Sequence, residues 1–190
     1  KLWLQGAENG DATAQRVVGD FCMRGVGVER SVQEAERWLT ASSNQGDTAA
    51  MVLLGGLILA DTDNRARFPR AVELFRRAAE RGNADAQYNL GVCLRQGWGV
   101  PADIAAAERS YRSAAERNQV SAQLALADLI AARATSDDER LEAMHWYRLA
   151  ADNGNKVAKL RVGETRVGET EENVATNESG EPLKAASAVP

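Results

Sequence analysis

The chain is poor in the residues that most small-molecule chemistry needs. Its 190 residues include one histidine, two cysteines and four prolines, and only 5% are aromatic. Cys22 and Cys93 are too few for a disulfide framework, and without a Cys-x-x-Cys pair or a His/Cys cluster the usual zinc arrangements are excluded. The single His145 leaves no Ser/His/Asp set, and no paired carboxylates stand out as a general acid and base. Long apolar runs are missing too: the best candidate, Met51 to Ala60, is ten residues with two glycines inside it, against the ~18–20 needed to cross a bilayer. The start of the chain carries no initiator Met, basic n-region or apolar h-region, so no compartment is legible there.

What is present is 44% hydrophobic residues with many Ala and Gly, a composition for helices packed at close spacing. Self-comparison finds a period of 36: Gly10, Gly46, Gly82 and Gly154 fall in one column, with Asn118 as its fourth member. Ala14, Ala50, Ala86, Ala122 and Ala158 form a second column, and Gly19, Gly55, Gly91, Ala127 and Gly163 a third. A ring or leucine column holds Trp3, Leu39, Phe75, Tyr111 and Tyr147. Within each repeat the apolar and small positions recur at helical spacing in two blocks.

The expected fold class is therefore all-α: an α/α superhelix, a solenoid of antiparallel helix pairs. First helices are expected over 12–24, 47–60, 83–96, 119–132 and 155–165, and second helices over 32–44, 68–80, 104–116 and 140–152, with 1–8 as the tail of an earlier one. The array spans 1–163: a partial repeat 1–10, full repeats 11–46, 47–82, 83–118 and 119–154, and a partial repeat 155–163. Ser31 with Glu34 and Ser136 with Glu139 have capping-box spacing. Gly25-Val26-Gly27-Val28 and Gly97-Trp98-Gly99-Val100 mark tight turns inside repeats one and three.

Residues 164–190 form an acidic tail expected to be mostly disordered, in which six glutamates against Arg166 and Lys184 account for the whole net charge of −4. The body balances its charges, so the basic stripe Arg76, Arg77 and Arg81 is not read as a nucleic-acid surface, and no membrane insertion by this segment is expected. No cofactor is implied. Because the chain begins inside a second-helix pattern, further repeats upstream and end-to-end self-association are expected.

The run Ala86-Gln87-Tyr88-Asn89-Leu90-Gly91, then Gly97-Trp98-Gly99-Val100-Pro101-Ala102-Asp103, then Tyr111-Arg112-Ser113-Ala114-Ala115-Glu116, resembles the Sel-one-like repeat family, a tetratricopeptide-like group. Repeats two and four depart from it in lacking the Gly-x-Gly-Val turn, and Asn118 replaces the terminal glycine. The resemblance implies a right-handed superhelix with first helices lining a concave face, and adaptor or scaffold roles in protein assemblies. One cysteine-rich branch binds or cleaves β-lactams, which gives a hydrolase as the alternative. Cys22 and Cys93 lack that branch's pairing and read as small buried hydrophobes. A purely architectural spacer is the third reading.

If the face carrying Ala14, Val18 and Cys22 is core, columns half a turn away line the groove. They give Arg16, Asp20 and Arg24 in repeat one, and Val52 and Leu59 in repeat two. Repeat three gives Tyr88, Val92 and Arg95, and repeat four Leu124 and Asp128. An apolar centre with an Arg/Tyr rim has the make-up of a peptide site, against the plainer reading that Val52 and Val92 pack against neighbouring first helices. Trp98 is either an exposed anchor or folded onto its own helix pair. His145 is read as a surface or satisfied residue.

Overall fold

The computed structural model describes residues 2–163; the acidic tail lies outside the described residues. Two compact bodies, Lys1–Gln123 and Leu124–Pro190, divide the chain. The elements in order are α1 (Leu2–Glu8), α2 (Ala12–Arg24), α3 (Val32–Asn44), α4 (Thr48–Ala60), a 3-10 helix (Thr62–Arg67), α5 (Phe68–Glu80), α6 (Ala84–Gln96), α7 (Ile104–Ala115), α8 (Val120–Arg133) and α9 (Asp137–Asp152). Residues 156–163 are helical as well, and no strand occurs among the described residues.

Most of the described helices start where a side chain can satisfy a free N–H group; α5 has no such cap and begins with Pro69 in its first turn instead. Asp11, Asp47 and Asn83 accept from the backbone N–H of Ala14, Ala50 and Ala86 at 2.6, 2.9 and 2.9 Å. Ser136 and Glu139 form the full reciprocal capping box and start α9 at Asp137, three residues before the 140 that periodicity suggests. Ser31 makes only half of such a box: it accepts from the Glu34 N–H at 3.2 Å, while the Glu34 carboxylate turns to Arg37 at 3.1 Å.

The period-36 column that closes the second helices sits at positive φ: Gly10 +91°, Gly46 +93°, Gly82 +81°, Gly154 +91°, and Asn118 +61°. Asparagine is one of the few residues with a side chain that visits this region without large strain, which explains why the one exception in the column is tolerated. Repeat two, lacking the turn glycines, uses the 3-10 helix instead before Pro69 opens α5.

In the body Lys1–Gln123 the helices pair as α2 with α3, α4 with α5 and α6 with α7, and α1, α3 and α5 each also pack on the next first helix. The glycine column is where the ring column lands. A Cβ at Gly19 would lie 2.8 Å from Leu39 Cγ, one at Gly55 2.6 Å from Phe75 Cε1, and one at Gly91 2.6 Å from Tyr111 Cε1. Any side chain there would push its helix off its partner. Leu39, Phe75 and Tyr111 are at most 1% exposed as a result. In the second body, Ala127, Tyr147, Ala150, Ala151 and Ala158 form the core.

Candidate functional site on the first helices

Three residues of α6, at i, i+4 and i+7, share one stripe of that helix: half-buried Tyr88, half-buried Val92 and exposed Arg95. The Tyr88 ring lies 5.8 Å from the Tyr111 ring, which comes from α7 beneath it. Burial pushes the Tyr111 hydroxyl up to about 12, and the Arg95 guanidinium, placed to hydrogen-bond that hydroxyl, opposes the rise. Arg95 carries no ion pair among the described residues.

The other groove arginines are engaged within the fold. Arg16 donates to Asp47 Oδ2 at 3.0 Å, and since Asp47 also caps α4, this pair ties α2 to the next first helix. Arg24 pairs with Asp20 one turn below. Val52 and Leu59 of α4 pack, half-buried, against the core built on Met51, Leu54 and Phe75. The first-helix candidates thus divide: Tyr88, Val92 and Arg95 stand together on α6, Arg16, Asp20 and Arg24 form internal pairs, and Val52 and Leu59 pack inward.

Leu124 and Asp128 belong to the second body. Leu124 packs on its core, and Asp128 accepts from the Tyr147 hydroxyl at 2.7 Å. Burial, followed by this hydrogen bond and the carboxylate's charge, holds the Tyr147 hydroxyl far above the ordinary tyrosine range.

Trp98 takes neither of the two placements considered for it alone. It is 38% exposed and its ring lies 6.2 Å from Phe68, at the start of the preceding repeat's second helix. The turn is pressed close there, since a Cβ on Gly99 would come 2.5 Å from the Phe68 carbonyl carbon. His145 is exposed with its ring edge-on to Trp146 at 5.4 Å. Cys22 and Cys93 are free and buried, and burial pushes the Cys93 thiol up to about 11, so it is a poor nucleophile near neutral pH. In the basic stripe, Arg76 pairs with Glu73 at 2.7 Å and Arg81 donates to the Gly46 carbonyl at 2.7 Å.

Two features escaped the reading by columns of apolar and small residues. The first is a glutamine column: Gln15, Gln87 and Gln123 donate to the carbonyls of Ala7, Ala79 and Ala115 at 3.2, 3.5 and 3.3 Å. Each reaches back eight residues to the end of the preceding helix, and the step of 36 was legible in the sequence. The second is Glu36, which faces Arg67 and Arg70 of the next repeat. Burial works against ionisation of Glu36, but the hydrogen bonds and charges of both arginines outweigh it and hold the carboxyl below its ordinary value. No group of three or more His, Cys, Asp or Glu side chains is placed to hold a metal among the described residues. None of the described helices is long and apolar enough to cross a membrane.

Solved structures with the same fold carry the fold class beyond the helix pairs themselves. A Sel1 repeat protein from Oxalobacter formigenes superposes with a TM-score of 0.75 at 31% identity, over 84% of this chain and 64% of that one. A protective antigen of uropathogenic Escherichia coli strains, described as displaying an SLR fold, superposes at 0.78 and 28% identity over 94% of this chain and 37% of its own. The fold is an all-α helical repeat superhelix. In sequence, the chain is 30% identical over 126 residues to an uncharacterized Neisseria meningitidis protein. It is 33% identical over 94 residues to the Arabidopsis thaliana ERAD-associated E3 ubiquitin-protein ligase component HRD3A. It covers 26% and 13% of those two relatives' lengths. The Sel1 repeat profile matches residues 12–47, 49–83, 84–119 and 120–155, and the chain belongs to the Sel1 repeat family.

Proposed function

We propose that the chain is a non-catalytic interaction scaffold that takes an extended segment or helix of a partner protein on its first-helix face, with Tyr88, Val92 and Arg95 as the contact. Membership in the Sel1 repeat family supports the scaffold role, as does similarity to a component of a ubiquitin-ligase assembly. The observation that carries the site is Arg95: Arg16 and Arg24 are paired with Asp47 and Asp20, while Arg95 stands exposed, within reach of the Tyr111 hydroxyl and with no ion pair among the described residues. A guanidinium so placed suits a carboxylate or a run of backbone carbonyls, and the flanking Tyr88 and Val92 supply apolar contact. Asp20, Arg24, Val52 and Leu59 would flank it as a rim, and Leu124 and Asp128 would serve a corresponding role in the second body.

Capture of partners by the wild-type chain, compared with a Tyr88→Ala/Arg95→Ala double variant, tests this reading. The variant is expected to lose the partner and keep its melting temperature; retention of the partner would remove this surface from consideration. The alternatives, hydrolysis of a β-lactam or a purely architectural spacer, predict turnover in the first case and no partner at this face in the second.

A further inference from the structure

The turns of repeats two and three differ in how they cover the helix they lie against, and both belong to the body Lys1–Gln123. In repeat three the turn is pressed onto the start of α5: the Trp98 ring lies 6.2 Å from the Phe68 ring, and a Cβ on Gly99 would come 2.5 Å from the Phe68 carbonyl carbon. Phe68 is 4% exposed as a result. Its counterpart 36 residues earlier is Val32, at the start of α3. The segment in register with the Trp98 turn is there the 3-10 helix Thr62–Arg67, with Thr62 in the column of Trp98. Val32 is 50% exposed. The chain runs on through described helices on both sides, so this difference comes from the turn and not from an end of the array.

Beside Val32 lies a cavity of about 310 Å³, a size at the lower end of the range for ligand pockets. Val32, Leu57, Ile58 and Ala60 give it apolar surface, and Arg30, Glu36, Asp61 and Arg67 bring charge. Glu36 is held by Arg67 and Arg70. Arg30 donates through Nε to the Met23 carbonyl at 3.2 Å and has no ion pair among the described residues. Asp61 precedes the 3-10 helix but makes no side-chain capping hydrogen bond. The cavity therefore combines apolar surface that can take a ring with a guanidinium whose terminal nitrogens are open to an anion.

We propose that this cavity binds a segment of a partner protein through an aromatic side chain next to an acidic one. The ring lies against Val32 as Trp98 lies against Phe68, and the acidic side chain meets Arg30, whose planar fork of N–H donors matches a carboxylate. Asp61 repels a second carboxylate and accepts a backbone N–H of the same segment. The site belongs to repeats one and two, so it stands or falls separately from Tyr88, Val92 and Arg95 on α6.

Titration of the chain with the blocked dipeptide acetyl-Trp-Glu-amide, followed by nitrogen–proton correlation NMR, tests it. Saturable shifts are expected at the backbone amides of Val32, Leu57, Ala60 and Thr62. Acetyl-Ala-Glu-amide should give none, and acetyl-Trp-Gln-amide should bind about fivefold more weakly. Arg30→Gln is expected to bind both Trp probes alike, because the probe's carboxylate has lost its partner. Arg30 is exposed, so the melting temperature of this variant should match the wild type. The fourfold variant Asp61→Gly/Thr62→Trp/Asp63→Gly/Asn64→Val, which gives repeat two the turn of repeat three, is expected to cover Val32 and abolish the shifts. Absence of saturable shifts at these amides overturns the proposal, as do shifts that appear at Tyr88, Val92 and Arg95 instead. Equal binding of the Ala probe, or an Arg30→Gln chain that keeps the full preference for the Glu probe, overturns it as well.

Discussion

Tyr111 and Tyr147 occupy the same column of the repeat and are held differently. Tyr111 rests on Gly91 and is 1% exposed, with Arg95 beside its hydroxyl. Tyr147 shares a core with Ala127, the one alanine in the glycine column, is 8% exposed and donates to Asp128. Since a Cβ at Gly91 would meet the tyrosine ring at 2.6 Å, a ring facing alanine has to sit further out. Its hydroxyl then finds an acceptor on the first helix. One methyl group thus accompanies a change in the charge beside the tyrosine hydroxyl, from a cation to a carboxylate.

The comparison can be broken at its strongest point by overfilling the small columns. Ala86, 0% exposed, is expected to tolerate Phe worst, at a cost of about 3 kcal/mol; an unchanged urea midpoint would refute the crossing geometry. Gly91→Ala should cost about 2 kcal/mol despite the better helix propensity of alanine, because Tyr111 must move. The converse Ala127→Gly should cost only about 1 kcal/mol, the propensity difference alone. Equal losses at the two sites would mean that the methyl does not set the ring depth.

Tyr147→Phe removes a hydrogen bond to a carboxylate and is expected to cost about 1.5 kcal/mol. Asp128→Asn should bring the Tyr147 hydroxyl back toward its ordinary range in an ultraviolet pH titration, and an unmoved titration curve would separate the hydroxyl from Asp128. The smallest effect belongs to Glu36. Its folded value lies below the unfolded 4.5, so its contribution is present above that pH and is lost as pH falls through the lower folded value. With its side chain 27% exposed, the loss should be about 0.5 kcal/mol, and Glu36→Gln should flatten the acid limb of a stability profile by that amount.

The period made most of the fold legible, because repetition averages over single positions. Column membership placed α2 at Ala12–Arg24, α3 at Val32–Asn44 and α5 at Phe68–Glu80, matching the structure to the residue. Asn118 could be assigned positive φ only because the positions 36 residues away were glycine. What columns do not encode is pairing specific to one repeat. Whether Arg16 is free or bound depends on Asp47, a cap 31 residues away, and the fate of Val52 depends on how closely the neighbouring helices pack on α4. Trp98 was open between two placements because its partner, Phe68, lies in a different repeat. The glutamine column, interrupted by Met51, takes its meaning from a backbone carbonyl that the sequence does not single out.

The bonds that join one repeat to the next share a reach. Arg16 to Asp47 spans 31 residues, Gln119 to Asp85 34, Arg81 to the Gly46 carbonyl 35 and Asn83 to Thr48 35. Each closes a loop of about one repeat, and the entropy of closing such a loop stays the same however many repeats the chain contains. The absolute contact separation is therefore fixed by the repeat and not by the chain length, so ordering can start at any helix pair and spread to its neighbours.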